Sequence, residues 1–97
     1  MTFLVRDLEE GGSYHEREGD LSIGGIYWTG RYPPQGSLVE VRFRLSGVSK
    51  EIRAKAEIIR LSERGGGIGF HVRFTEVDLD SELAIARFID EAAGAQG

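Results

Sequence analysis

Ninety-seven residues make one domain with a small core and are too few for two, and 40% apolar against 29% charged residues is an ordinary soluble composition. The absence of cysteine excludes a disulfide framework and a thiolate metal site, and favours a reducing compartment. The start "MTFLVRDLEE" is too short an apolar run for a signal peptide and no segment approaches a membrane span, so a cytoplasmic protein without membrane contact is expected.

The formal net charge of −4 is unevenly spread: residues 1–39 carry three Arg against six acids (−3), residues 40–73 eight Lys/Arg against four acids (+4), and residues 74–97 one Arg against six acids (−5). A basic middle between acidic ends suits either an anionic ligand or partner, or simply the solvated face of a strand-rich region.

In chain order, "TFLVRDL" predicts a first strand and "SYHEREGDL" a second. "IGGIYW" opens a third, in which Tyr27 and Trp28 alternate across the sheet, one to the core and one outside. "TGRYPPQG" is a turn-rich connection whose prolines forbid a central strand. In "LVEVRFRL" alternation turns Val39, Val41, Phe43 and Leu45 inward and Glu40, Arg42 and Arg44 outward. In "KEIRAKAEIIRL" the inward set is Ile52, Ala54, Ala56 and Ile58; the phase then slips by one, since Ile59 and Leu61 flank Arg60, which predicts a β-bulge. After the glycine-rich turn "SERGGG", the run "IGFHVRF" places Phe70, Val72 and Phe74 inside, with His71 and Arg73 outside, completing a hairpin. Many short strands with turn signals predict a small closed barrel or a sandwich.

The period then changes. Asp78 or Asp80 caps a helix, and Ile85, Phe88, Ile89 and Ala92 repeat at i, i+3, i+4, i+7, the apolar face of a lid on the barrel or of a docking helix, packing on the chain's own sheet being the simpler choice. Gly94 stops it, and "AQG" frays.

Asp20, Ser22 and Gly25 in "DLSIGG" fit a D-x-S-x-x-G signature at the start of a strand. With the strand order and the terminal helix, the chain resembles the PilZ domain family of bacterial signalling from about Phe3 to Ala92. The resemblance implies an all-β fold, a six-stranded antiparallel barrel over about residues 2–75 with a C-terminal helix over 79–93, in a single domain of residues 1–97. It also implies cyclic di-GMP as ligand, with the Asp20 carboxylate and Ser22 hydroxyl bonding guanine or phosphate, and Gly25 admitting the ligand to the main chain. Binding in that family uses an R-x-x-x-R pair ahead of the barrel. Here that region holds only Arg6, and Arg17 stands three residues before Asp20; these two are the candidate substitutes. The literal Arg60–Arg64 match lies after the signature, at the entrance to a glycine turn, and is not given the role.

Other chemistry finds little support. The sequence has no nucleophile elbow and no phosphate loop, so no catalytic residue is assigned and a non-enzymatic protein is expected. His15 and His71 read as isolated surface residues without metal spacing, so no metal site and no cofactor are expected. An outward row of Arg42, Arg44, Arg53, Lys55 and Arg73, only partly neutralised by Glu40, Glu51 and Glu57, suits either an acidic protein partner or protection of exposed strands. The leading expectation is a regulatory domain that contacts another bacterial signalling or motility protein and carries a degenerate cyclic di-GMP site. A genuine receptor using a non-standard arginine is the alternative. A single-stranded nucleic-acid binder is disfavoured by net charge and the scarcity of exposed aromatics.

Overall fold

Strict alternation builds the barrel walls. In the computed structural model, which describes residues 1–9, 11–30, 38–48 and 50–94, the strands are β1 (Thr2–Asp7), β2 (Gly11–Leu21), β3 (Gly25–Gly30), β4 (Leu38–Phe43), β5 (Ile52–Arg64) and β6 (Gly67–Glu76), followed by helix α1 (Leu79–Gly94). Every strand pairing is antiparallel, in the order β1-β2-β3-β6-β5-β4, and β4 returns to β1 to close the barrel. Of the two architectures that alternation allowed, the barrel forms. The "RYPPQG" part of the turn-rich connection lies outside the described residues, as does "AQG".

Closure requires bent strands, and register shifts supply the bends. The phase slip read from "EIIRL" is one of them: Ile58 pairs with Val72 and Arg60 with His71, leaving Ile59 as the extra residue. A second shift falls between Lys55 and Ala56, and a third between Val5 and Asp7 on β1. The β5–β6 hairpin turns through Gly65 and Gly66, at φ of +50° and +87°; a two-residue loop with both φ positive matches the twist of the flanking strands and favours glycine.

The interior is the expected set. Val41, Phe43, Ile58, Phe70 and Val72 are buried, with Phe3, Ile26, Trp28, Ile52 and Ile85 beside them. Phe74, Phe88 and Ile89 are half-buried and pack on that core. Phe43 holds one end, edge-on to Phe3 at 5.3 Å and stacked on Phe74 at 6.4 Å. Trp28 stacks on Phe70 at 6.0 Å in a second aromatic layer. Trp28 is therefore the inward member of the Tyr27–Trp28 pair.

Asp78 is the helix cap. Its carboxylate accepts the Ser81 backbone N–H at 3.3 Å and the Ser81 hydroxyl at 2.5 Å, which satisfies an N–H that helix geometry leaves without a partner. These bonds, the Ser81 hydroxyl first, hold the Asp78 carboxyl below its ordinary value. One correction concerns this helix: Ala92, expected on the packed face, is exposed. Among the described residues no helix is long and apolar enough to cross a membrane.

Candidate functional site

The signature sits on the β2–β3 connection, and its groups mostly bond one another. Leu21 and Ile26 form the last strand pair, leaving Ser22–Gly25 to reverse the chain. The Ser22 backbone N–H and hydroxyl both donate to the Gly25 carbonyl, at 2.9 and 3.1 Å. The Gly24 carbonyl accepts the Phe74 N–H at 3.0 Å and ties the turn to β6. Gly25 is buried against β6, where a Cβ would collide with the Val72 carbonyl; at Gly24 a Cβ would meet nothing. The absent side chain of Gly25 is thus required by a close approach of two strands.

Asp20 is exposed and stands opposite Tyr27. Register then continues the row across the sheet: Tyr27 faces His71 on β6, and His71 faces Arg60 on β5. The Tyr27 and His71 rings lie 4.8 Å apart, tilted by 56°. Ser62 Oγ is 3.2 Å from His71 Nε2. Gly69 makes room for this group, since a Cβ there would strike the Tyr27 ring and the Ser62 hydroxyl. One row along, Arg73 is opposite both Gly25 and Glu57, and its Nη2 is 3.1 Å from Glu57 Oε1. His71 is therefore half-buried in a cluster and not an isolated surface residue, as the sequence suggested. Register between β3, β5 and β6 makes the cluster; the only local sign is glycine at position 69 between two strand-forming runs. His15 is exposed as expected.

The candidate arginines do not converge on the turn. Arg6 lies on the outer face of β1, its Nη2 3.2 Å from Glu40 Oε1. Arg6 is four residues beyond Thr2, the residue paired with Glu18 near the signature, or about 13 Å of strand. Its guanidinium carbon sits 5.0 Å from the Tyr14 ring centroid, as does that of Arg42, so the ring lies against both cations. The Tyr14 hydroxyl donates to Glu40. Burial, then Glu40, pushes the Tyr14 phenol above its ordinary value. Arg17 is three residues from Asp20 and so on the other face of β2, opposite Phe3, with its Nε near Gly30.

The basic row is real as a placement and largely paired. Arg42 and Arg53 face each other across β4 and β5, and Glu51 holds both, its Oε1 2.6 Å from Arg42 Nη2 and 3.5 Å from Arg53 Nε. The hydrogen bond from Arg42 holds the Glu51 carboxyl below its ordinary value and raises that of Arg42. Lys55 Nζ is 3.3 Å from Glu76 Oε2. Arg44, past the end of β4, is exposed. Neutralisation goes further than the sequence implied, because Glu76 contributes while Glu40 turns to Arg6 and Tyr14. Among the described residues, no group of three or more His, Asp or Glu side chains is arranged to hold a metal ion.

No curated protein and no solved structure matches the chain. The family model of the PilZ domain matches residues 1–91, a family of cyclic di-GMP signalling and receptor domains that bind the dinucleotide and contact other proteins and are generally non-catalytic. With a closed six-stranded barrel, a terminal helix and the signature at the β2–β3 turn, the chain belongs to the PilZ domain family.

Proposed function

We propose that this PilZ domain is a non-enzymatic regulatory module that works mainly by contacting another signalling or motility protein, with a signature turn that serves the fold. The carrying observation is the use to which the turn puts its own groups. Ser22 gives both its donors to Gly25, and Gly25 is closed off by Val72. Arg6 and Arg17, the candidate grips for phosphate, belong to other neighbourhoods. Each hydrogen bond to an ion is worth roughly 1.5–3 kcal/mol, so two missing ones weaken a dinucleotide site by about 3–6 kcal/mol, or two to four orders of magnitude. The row of Arg42, Arg44, Arg53, Lys55 and Arg73 is the candidate contact for an acidic partner; Lys55 and Arg73 hold their acids at the surface, where such pairs exchange readily.

A second reading, direct reception of cyclic di-GMP, has one observation in its favour: Arg73 faces Gly25 beside the Tyr27–His71 pair, which offers a guanidinium next to a surface on which a base can stack. Calorimetry with the purified chain and cyclic di-GMP separates the two. We expect a dissociation constant weaker than ~10 μM, on the scale where 1 μM is about −8.2 kcal/mol. Tighter binding that Arg73→Ala abolishes would replace the first reading with the second.

A further inference from the structure

Helix α1 is apolar on two sides. Ser81, Ile85, Phe88 and Ile89 face the barrel. Leu79 and Leu83, four residues apart and 68% and 54% exposed, occupy the opposite side, and Ala86 continues their line at the i+7 position. A single exposed leucine is unremarkable, but two on successive turns of one helix face form a stripe that water does not favour.

The charge around that stripe is predominantly negative. Asp80 and Glu82 flank it in the first turn, and Asp90 extends its line toward the last turn, with Glu91 beside it. Among the described residues none of these four carboxylates pairs with a cation, whereas Glu40, Glu51, Glu57 and Glu76 of the barrel all do. The last turn has no basic residue, so Asp90 and Glu91 add to the negative end of the helix dipole. Arg87, four residues after Leu83 and exposed on the same side, is the helix's single cation, so the rim carries four carboxylates against one guanidinium. We propose that the Leu79–Leu83–Ala86 stripe with its carboxylate rim is a docking surface for a basic amphipathic segment of another protein, one that presents apolar side chains between Lys or Arg residues.

Charge complementarity selects that occupant. An anionic bilayer surface and a nucleic acid are repelled by the rim, and a second copy docking the same stripe face to face brings carboxylates against carboxylates. Its use requires neither the signature turn nor a dinucleotide.

The test is an NMR titration of the isotope-labelled full chain with a synthetic amphipathic Leu/Lys peptide, and with a Leu/Glu peptide of identical leucine spacing as control. Amide shifts centred on residues 79–90, binding weakened by added salt and no response to the Leu/Glu peptide are expected. Leu79→Ser with Leu83→Ser, both at exposed positions, should leave the melting temperature in place and weaken binding by about tenfold or more, equivalent to roughly 1.4 kcal/mol. If that variant misfolds, Asp80→Asn with Glu82→Gln and Asp90→Asn decides, through lost affinity and lost salt dependence. The proposal is overturned by equal binding of both peptides, by shifts centred on the strands, by affinity that survives both variants, or by self-association of the chain that the leucine changes abolish.

Discussion

At the scale of single residues, Gly24 and Gly25 are adjacent in sequence and opposite in role. A methyl group at Gly25 meets the Val72 carbonyl, while one at Gly24 meets open space, and neither residue has a positive φ. Gly25→Ala should therefore cost about 1–3 kcal/mol as overpacking, and Gly24→Ala should be neutral or stabilising by up to about 1 kcal/mol through the unfolded chain. Denaturant melts of the two variants check this; equal stabilities would mean that Gly25 is not held by the fold. Asp78 makes a pH prediction. Its pKa is lowered on folding by the Ser81 bonds, so the unfolded chain binds the proton first as the pH falls. The contribution is complete above the ordinary aspartate value and is lost as the pH drops toward and through the lowered folded value. Asp78→Ala should lower the melting temperature at neutral pH and flatten the acid limb of the stability profile below about pH 4; an unchanged acid limb would show that another carboxylate governs it.

At the scale of elements, legibility followed the chemistry of the faces. Strands β4, β5 and β6 alternate apolar and polar residues because one side meets the core and the other meets water, so period, phase and even the Ile59 bulge were visible in the sequence. Strand β2 was not so clear, because "GGSYHEREGDL" buries almost nothing; its pairing with β1 and β3 holds it in place. The helix was legible on its packed side, where Ile85 is nearly sealed from solvent. Ile85→Ala should cost about 2–5 kcal/mol, and a loss near zero in calorimetric melts would detach the helix from the core. The Tyr27–His71–Ser62 group was not legible, since its members come from strands up to 44 residues apart in the chain.

At the scale of the whole molecule, closure makes the barrel cooperative. Strand β1 joins β2 to β4, so the first strand completes the ring on which the others depend. Phe43 touches aromatic partners from both β1 and β6. Truncation of Phe43 to Ala should cost about 3–5 kcal/mol in a single two-state transition seen equally by fluorescence and circular dichroism. A loss below about 1 kcal/mol, the scale of a surface change, would remove Phe43 from the core. Charge is also organised at this scale. Arg6, Arg42, Arg53, Lys55 and Arg73 of the barrel pair with Glu40, Glu51, Glu57 and Glu76, whereas among the described residues Asp80, Glu82, Asp90 and Glu91 of the helix pair with no cation.

The sequence by itself determined the alternating walls, the interior set and the terminal helix, because each depends on neighbours within a few residues and on the side of an element that water reaches. The signature Asp20, Ser22 and Gly25 was also readable, as residue types at a spacing. Only the tertiary structure decided what those residues touch. Backbone approach of β3 to β6 makes Gly25 a packing residue, and the alternation of β2 sends Arg17 to the face away from Asp20. The pairing of β1 with β4 commits Arg6 to Glu40 and Tyr14. Contacts of this kind depend on register between strands distant in sequence, and register follows from the closed sheet as a whole.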